Sequence, residues 1–278
     1  MKVLITGAGS YIGSSLVAGL KGIDVRELDV RQGVDESAFD GCGAVVHVAG
    51  IAHQKETAEN APLYDRVNRE LAVQTARIAK AHGVKQFVFF SSMSVYGLTT
   101  GRITQDTQPA PNTHYGVSKW KAEQEMAALS DEQFHIAVLR PPMIYGRGCR
   151  GNYPRLAALA RSLPFFPSVR NERSMLYIGV LVDFVQKLLE SGEGGLYFPQ
   201  NHEFVSTCAL VREVARCGGK RVLMVPGFGW LIGALSSRVG VAGKVFGTLT
   251  YDQDMSQRFR SADELSFEDT IRLTEVGK

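Results

Sequence analysis

The chain has 278 residues, of which 45% are hydrophobic and 21% are charged, and its formal net charge is +3. This composition is ordinary for a globular protein with one domain, or with one domain and a small appendage, and so small and dispersed a charge argues against binding to nucleic acid. The cysteines have neither a CxxC spacing nor a matching histidine pattern, so we expect free thiols and no metal site.

Targeting signals are missing from the pattern of apolar residues. The first apolar run, Val3 to Ile5, is too short for a signal peptide and no cleavage site follows it. No stretch approaches the 18 uninterrupted apolar residues of a spanning helix. We therefore expect a cytoplasmic protein.

Apolar, β-rich runs alternate with helical patterns through the first half of the chain. Near-continuous apolar strands that alternate with helices predict an α/β fold, a doubly wound parallel sheet covered on both faces. The predicted strands are Val3–Thr6, Asp24–Val30, Ala44–Ala49, Gln86–Ser91 and Ile136–Leu139, and the predicted helices are Tyr11–Leu20, Leu63–His82 and Ser118–Leu129.

A glycine-rich loop, Thr6-Gly-Ala-Gly-Ser-Tyr-Ile-Gly13, lies between the first strand and the first helix. Gly7 can make the tight turn, and Gly13 lets the helix pack close to the sheet. The N–H groups around Ser10 to Ile12 would face an anionic pyrophosphate at the positive end of the helix dipole. In this strand–loop–helix context the loop predicts dinucleotide binding, and with it a Rossmann-type sheet.

The second strand ends in both an acidic and a basic residue. An acidic residue at this distance from the loop, here Asp29, usually holds the ribose hydroxyls of NAD, whereas a nearby arginine such as Arg31 can accommodate the 2′-phosphate of NADP. Because both are present, the sequence leaves NAD and NADP open.

Tyr115 and Lys119 are four residues apart, which places them on one face of a helix about one turn from each other. The ammonium of Lys119 would then lower the pKa of the Tyr115 phenol from roughly 10 toward neutrality. A phenol tuned in this way can protonate a carbonyl oxygen or deprotonate an alcohol. The pair predicts such chemistry if the chain also supplies a cofactor site and a hydroxyl partner.

The order of elements changes after Arg140. Prolines and glycines interrupt residues 141–151, a helix is predicted at Tyr153–Arg161, and shorter elements follow. We predict a dinucleotide-binding domain over residues 1–150 and a smaller substrate-binding portion over 151–278, with some strands that return to the main sheet. The arginines from Arg140 to Arg155 would either meet a small anionic substrate or lie solvated on the surface.

Residues 222–247 are apolar and glycine-rich, with basic residues on both sides. An interfacial membrane helix is one interpretation. We favour a buried segment of the substrate-binding portion, because Pro226 and the glycines would interrupt such a helix.

Six motifs in this order resemble the extended short-chain dehydrogenase/reductase family, which contains nucleotide-sugar epimerases, dehydratases and reductases. The resemblance covers essentially the whole chain. The motifs are Thr6-Gly7 to Gly13, His47-Val-Ala-Gly50, Asn68, Ser91-Ser92-Met-Ser-Val-Tyr-Gly97, Tyr115-x-x-x-Lys119 and Arg140-Pro-Pro-Met-Ile-Tyr-Gly146.

The resemblance implies a role for each matching position. Ser92 would be the hydroxyl partner of Tyr115, with Ser94 as an alternative that also contacts substrate, and a turn-capping role fits Ser91 better. Lys119 would bond the nicotinamide ribose, Arg173 would contact a diphosphate, and Asn152 would contact substrate or cap a helix. The implied cofactor-binding residues are Gly7, Gly9, Ser10, Tyr11, Ile12, Gly13, Asp29, Val30, Arg31, Val48, Ala49, Gly50, Asn68, Pro141, Met143 and Ile144.

Two departures from the family pattern bear on which activity the resemblance implies. Ser10 replaces the usual middle glycine, and the stretch from Val25 to Val48 is too short for the extra strand and helix of UDP-galactose 4-epimerases. The chain is more similar to bacterial UDP-4-keto-6-deoxy-HexNAc reductases. The resemblance therefore implies a reductase that acts at C4 of a UDP-sugar in surface polysaccharide biosynthesis.

Other activities stay open. A UDP-hexose or UDP-HexNAc 4-epimerase with retained NAD would use the same residues. A dehydratase is disfavoured, because Met93-Ser94 stands where dehydratases carry an acidic pair. A non-catalytic dinucleotide-binding regulator is the remote alternative, against which the intact Ser92, Tyr115 and Lys119 argue. The resemblance also implies a homodimer formed through helices Leu63–His82 and Ser118–Leu129.

Overall fold

The computed structural model describes residues 1–52, 54–227, 246–261 and 265–277. In chain order its elements are β1 (Lys2–Thr6), α1 (Tyr11–Gly19), β2 (Asp24–Leu28), β3 (Ala44–His47), α2 (Ala61–Asp65), α3 (Leu71–Ala81), β4 (Gln86–Phe90), β5 (Gly101–Ile103), α4 (His114–Ala127), β6 (His135–Leu139), β7 (Met143–Tyr145), α5 (Asn152–Ser162), β8 (Phe165–Pro167), β9 (Met175–Tyr177), α6 (Ile178–Ser191), β10 (Gly195–Tyr197), α7 (Thr207–Cys217), β11 (Leu223–Val225), β12 (Leu249–Tyr251) and α8 (Phe267–Glu275).

Six parallel strands form the central sheet, in the order β10-β6-β4-β3-β1-β2. The predicted α/β fold with a parallel sheet is confirmed. The predicted strands are found within one or two residues, and β2 ends at Leu28, so Asp29 and Val30 lie just beyond the carboxyl end of that strand. Strand β10 returns to the main sheet from the second half of the chain, beside β6.

Alternate residues of the central strands pack on opposite sides of the sheet. Val3 and Ile5 of β1 join the core formed with α1 and α6, whereas Leu4 joins the core formed with α3 and α4. Since side chains of a strand alternate between its two faces, an entirely apolar strand requires helices on both sides. This arrangement brings the carboxyl ends of β1, β3 and β4, and the loops that follow them, to one edge of the sheet.

The long helix predicted at Leu63–His82 is not uniform. It begins two residues earlier, at α2, passes through a π-helical turn at Arg66–Glu70, and ends as α3. The N–H of Leu71 bonds to the carbonyl of Arg66, five residues back. Single π turns inside α-helices are frequently found at functional sites, and this one contains Asn68.

The second half of the chain forms its own apolar cluster around α5, α7 and α8. Short parallel pairs, β7 with β9 and β8 with β11, cover this cluster, and β12 pairs with β5. All four cysteines are free. Within the described residues no helix has the length and apolar character needed to cross a membrane. Most of residues 222–247, for which a buried segment and an interfacial helix are the two interpretations, lies outside the described ranges.

Candidate active site

The glycine-rich loop between β1 and α1 approaches β3 closely. Gly7 has a φ of +91°, and a Cβ at this position would lie 2.9 Å from the backbone nitrogen of Ala49. Gly13 packs equally closely, since its Cβ would lie 2.9 Å from the carbonyl oxygen of Gly7. Both positions therefore require glycine, for the conformation at Gly7 and for close packing at both.

Ser10, the departure from the usual glycine, is the N-cap of α1. Its hydroxyl accepts a hydrogen bond from the Gly13 N–H at 3.1 Å, and its own N–H donates to the Gly7 carbonyl at 3.1 Å. The Ser10 amide, predicted to face the pyrophosphate, thus already has a hydrogen-bond partner within the loop. The amides of Tyr11 and Ile12 are the ones that α1 leaves without a partner of its own.

The space above this loop suits a dinucleotide. Gly9 has a φ of +69°, and a Cβ there would meet nothing within 4 Å. A cradle of positive-φ glycines at a helix N-terminus is the arrangement that accepts a pyrophosphate. The chain's own residues therefore fit the cofactor that the sequence predicts, with the amides of Tyr11 and Ile12 as the groups that would hold the diphosphate.

Asp29 and Arg31 lie past the end of β2 and form an exposed ion pair. Arg31 Nη2 lies 2.5 Å from Asp29 Oδ2, and the Arg31 backbone N–H donates to Asp29 Oδ1 at 3.0 Å. These bonds lower the pKa of the Asp29 carboxyl to about 2. The carboxylate is ionised at neutral pH, and Val30 between the two residues is buried.

The end of β3 is held by the π turn. Asn68 accepts a hydrogen bond from the Ile51 N–H at 2.8 Å and donates to the Ile51 carbonyl at 3.1 Å and to the Ser118 hydroxyl at 3.3 Å. The side chain is wholly buried and its amide is used in this way, and a direct contact between Asn68 and the cofactor stays a prediction. Asn68 positions the loop that begins at Val48, Ala49 and Gly50.

Helix α4 brings the predicted catalytic residues together. Thr113 caps it, so Tyr115 lies in its first turn and Lys119 in its second. Ser92, two residues after β4, lies near the Tyr115 phenol and lowers its pKa. Lys119 is buried, with Nζ 4.6 Å from the centre of the Phe89 ring and 3.4 Å from the place a Cβ of Gly50 would occupy. The acid–base groups therefore lie at the cleft beside Gly50.

The roles of the two neighbouring serines differ from the prediction. Ser92, not Ser91, caps the 3₁₀ turn at Met93–Tyr96, because its hydroxyl accepts from the Ser94 N–H at 3.1 Å. Ser92 also donates to the Ser94 hydroxyl at 3.1 Å. Ser91 is buried and donates to the carboxylate of Glu123.

The pKa shifts are opposite to those expected for an isolated tyrosine–lysine pair. Burial raises the pKa of Tyr115 above its ordinary value of 10, and the Ser92 hydroxyl opposes this. Burial also lowers the pKa of Lys119 to about 7. The predicted lowering of the Tyr115 pKa is therefore wrong for the cofactor-free protein, since a lysine that is only partly protonated gives weak support to a phenolate.

A carboxylate that no sequence pattern predicts accepts hydrogen bonds at the start of α4. Glu56, in the loop between β3 and α2, accepts hydrogen bonds from the backbone N–H groups of His114 at 2.7 Å and Tyr115 at 3.2 Å. Two of the four N–H groups that a helix start leaves unpaired are thereby satisfied by a negative charge at the positive end of the dipole. No motif marks Glu56, because its partners are distant in sequence.

A buried ion pair supports α4 from behind. Arg140 Nη2 lies 2.5 Å from Glu123 Oε2, and the two side chains are only 5% and 6% exposed. Arg140 Nη1 also donates a hydrogen bond to the Tyr96 hydroxyl at 2.7 Å. Arg140 thus contacts neither substrate nor solvent, which corrects both interpretations offered for it. Spacing was an available signal for Glu123, because Tyr115, Lys119 and Glu123 recur every four residues on one helix face.

His47, at the end of β3, belongs to one of the six motifs but has no role predicted from the sequence. It is wholly buried, its Nδ1 lies 2.9 Å from the Thr6 hydroxyl oxygen, and its ring stacks on Phe87. Burial, with a smaller contribution from the Lys119 charge, lowers the pKa of His47 to about 3. The imidazole is neutral at physiological pH and adds no charge near Lys119.

Arg173, a predicted substrate contact, lies in a cavity of the second half of the chain. Arg173 is half-buried in a cavity lined by Met143, Leu156 and Met175, where it donates to the Gly247 carbonyl at 2.8 Å and burial lowers its pKa. Among the residues that the structure describes, it forms no ion pair. A desolvated guanidinium of this kind favours an anionic ligand.

Asn152 is exposed and is the first residue of α5, after Gly151 in the N-cap position. The capping role considered for Asn152 is therefore wrong. Pro141 lies near Ser92, because its carbonyl accepts from the N–H of the next residue, Met93, at 3.0 Å. Ile144, in β7, packs against the core of the main sheet.

Comparison with known proteins agrees with this geometry. The sequence model of the NAD dependent epimerase/dehydratase family matches residues 3–197. The chain is 29% identical to the UDP-glucose 4-epimerase of Vibrio cholerae, over 90% of this chain and 87% of that protein. It is 27% identical to the N-acetyl-alpha-D-glucosaminyl-diphospho-ditrans,octacis-undecaprenol 4-epimerase of Escherichia coli O157:H7, over 79% of this chain and 73% of that protein.

Among solved structures, the UDP-glucuronic acid 4-epimerase of Bacillus cereus in complex with NAD superposes with a TM-score of 0.78 at 19% identity. The match covers 100% of this chain and 98% of that one. At this identity the likeness establishes the fold, which is the same α/β arrangement throughout.

Proposed function

The chain belongs to the NAD-dependent epimerase/dehydratase family, and on that premise we propose that it is a UDP-sugar 4-epimerase that retains its nicotinamide cofactor. The observation that carries the proposal is the cluster of the Ser92 hydroxyl, the Tyr115 phenol and the Lys119 amine beside the glycine-rich cradle. The similarity to a UDP-glucose 4-epimerase along most of both chains supports the same conclusion.

In this proposal the chain's own groups handle the proton at the sugar. When bound, the nicotinamide supplies hydride exchange at C4. Tyr115 would start as the phenolate, take the proton of the C4 hydroxyl to become the phenol, and return that proton to the C4 oxygen, while Ser92 would hydrogen-bond that oxygen and orient it. Lys119, whose pKa of about 7 lets it hold or release a proton near neutrality, adjusts the charge beside the phenol.

Arg173 is the proposed diphosphate contact. Its guanidinium is half-buried, its pKa is lowered by burial, and an anion would restore the interactions that burial removes. A sugar attached through a diphosphate offers that anion, whether its other end is a nucleoside, as in the Vibrio cholerae relative's substrate, or a polyprenol, as the name of the Escherichia coli relative indicates. We propose the nucleoside form as the substrate.

Reduction of a UDP-4-keto-6-deoxy-HexNAc is the second candidate. The run from Arg140 to Gly146, with Gly151-Asn152 and Arg173-Ser174, favours it, and it would use the same Ser92, Tyr115 and Lys119. The two activities differ in whether the cofactor is consumed, so one assay separates them. We also propose that the protein acts in the cytoplasm and that it is a homodimer. Sedimentation analysis tests the oligomeric state.

The test incubates the purified protein with UDP-GlcNAc and with UDP-glucose and follows both the sugar products and the absorbance of reduced cofactor. Interconversion with the C4 epimer without net cofactor use supports the epimerase. Stoichiometric oxidation of NADH or NADPH by a UDP-4-keto sugar would establish the reductase instead.

Substitution separates catalysis from the remote alternative of a regulator without activity. Tyr115→Phe removes the hydroxyl that moves the proton, and we expect turnover to fall by about 10²-fold or more. The matched control is Tyr197→Phe, whose hydroxyl bonds the Gly194 carbonyl at the sheet edge. Unchanged turnover in Tyr115→Phe would overturn the assigned role.

A further inference from the structure

Four exposed apolar side chains form one continuous surface on the second half of the chain, here called the Phe165 face. Phe165 of β8 and Leu223 of β11 are register partners on paired parallel strands, and they are 58% and 70% exposed. Leu163 and Leu159, 36% and 44% exposed, continue the surface at the end of α5, where the Leu163 N–H bonds the Leu159 carbonyl. Single exposed apolar residues are common, but a contiguous group marks an interaction site.

The side chains of this face point away from the core because of their positions on β8 and α5. Along β8, Phe165 is exposed whereas Phe166 is buried against Phe246, as alternation along a strand requires. On α5, Leu156 lines the cavity of Arg173, and Leu159 lies on the outer side of the same helix. The core is therefore complete without the Phe165 face.

Basic residues border the face, and the two chain segments that form it carry no acidic residue, although Glu275 of α8 pairs with Arg161 at the end of α5. Arg155 lies one helical turn before Leu159, so Arg155, Leu159 and Leu163 share one side of α5, and Arg221 stands two residues before Leu223. Both arginines are exposed, and neither forms an ion pair with a residue that the structure describes. In the sequence, no acidic residue occurs between Glu132 and Glu172 or between Glu213 and Asp252.

Exposed apolar side chains bordered by arginines fit some kinds of binding partner better than others. A polyanion such as nucleic acid would need the arginines but not four exposed apolar side chains. A second copy of the chain would bring its own arginines to the contact, and like charges would then oppose each other. An anionic lipid bilayer satisfies both features, since apolar side chains enter the acyl boundary while arginines bind the headgroups.

We propose that the Phe165 face is a peripheral docking surface for an anionic membrane. Phe165 and Leu223 insert at the interface, with Leu159 and Leu163 beside them, and Arg155 and Arg221 contact lipid phosphates. The docked orientation brings α5, and with it the Arg173 cavity, close to the bilayer. The proposal is independent of whether the enzyme is an epimerase or a reductase.

Flotation of the full-length protein with vesicles tests the surface. The vesicles are phosphatidylglycerol and phosphatidylcholine in equal parts, or phosphatidylcholine alone, at low and at physiological salt. We expect binding to the anionic vesicles only, weakened by salt. Phe165→Ser with Leu223→Ser should lower the bound fraction at least about tenfold, and Arg155→Gln with Arg221→Gln should lower it and reduce its dependence on salt.

The control replaces two other exposed apolar residues, Val17→Ser with Leu196→Ser, which lie on α1 and β10 away from the face. Binding of this variant should equal that of the native chain, and thermal unfolding of each variant verifies that it is folded. Absence of binding by the native chain, or equal binding by the Phe165 and Leu223 variant, would overturn the proposal. A change in oligomeric state without a change in vesicle binding would assign the face to a second copy instead.

Discussion

The backbone N–H of Tyr115 donates a hydrogen bond to the carboxylate of Glu56 at 3.2 Å, although the two residues lie 59 positions apart in the chain. The loop that carries Glu56 leaves β3 at the cofactor cleft, where Asn68 fixes it at Ile51. The start of α4, which carries Tyr115, is thus tied to the loop that follows β3.

Glu56→Ala should slow catalysis more than it weakens substrate binding. The change leaves the His114 and Tyr115 amides without their carboxylate, which costs about 1 kcal/mol of stability and loosens the first turn of α4. We expect kcat to fall with KM little changed, measured with the substrate that the assay identifies. Glu56→Gln, which keeps an acceptor, should recover part of the loss.

The control for Glu56 is Asp35→Ala. Asp35 caps the short helical turn at Glu36–Phe39 by accepting from the Ser37 N–H at 3.0 Å, away from α4. It should reduce stability by a similar amount and leave kcat unchanged. Equal effects of both substitutions on kcat would show that Glu56 acts through stability alone.

Removing one partner of the buried Glu123–Arg140 pair should strongly destabilise the protein. Glu123→Ala leaves the Arg140 guanidinium, 5% exposed, without a counter-ion, and an uncompensated charge of this kind costs about 3–5 kcal/mol. Urea denaturation of the cofactor-free protein measures the loss. Glu193→Ala, which breaks the exposed pair with Arg258, should cost about 0–1 kcal/mol. Similar losses for both would contradict the expectation.

The sequence predicted the sheet well because its signals are local. Apolar runs such as Val3–Thr6 and Gln86–Ser91 report their own burial, and the glycines at 7 and 13 report a close approach within one loop. The contacts of Glu56 and Asn68 depend instead on loops brought together by the whole fold. The low pKa of Lys119 is not predictable from the sequence for a related reason. Burial, which no four-residue pattern reveals, lowers it and outweighs the charge of Glu123, which raises it.

Gly7→Ala should impair cofactor binding beyond the strain of its φ angle. The new Cβ would lie 2.9 Å from the Ala49 nitrogen, so the loop must shift away from β3 and the cradle must deform. We expect the dissociation constant for NAD, measured by calorimetry, to rise at least about tenfold, equivalent to about 1.4 kcal/mol.

Gly22→Ala separates the two causes of the Gly7 effect. Gly22 has a φ of +68°, and a Cβ there would meet nothing within 4 Å, so this substitution carries the backbone strain without the collision. It should reduce stability by about 1 kcal/mol and leave NAD binding unchanged. If the two variants bound NAD equally well, the close approach at Ala49 would have no bearing on the cofactor.

Lys119 should make the cofactor-free protein more stable in mild alkali. Burial lowers its pKa from 10.5 to about 7 in the folded chain. Between these two values the unfolded chain binds the proton that the folded chain has lost, so the free energy of unfolding rises with pH across this window and is insensitive to this group below it. From pH 7 to about pH 9 the gain from Lys119 is roughly 2 kcal/mol. Lys119→Met removes the titrating group and with it this gain. The unfolding free energy of the native chain should therefore rise relative to that of the variant as the pH increases over that range. Urea denaturation of both proteins at several pH values measures it, and parallel curves would show that Lys119 keeps its proton in the folded state.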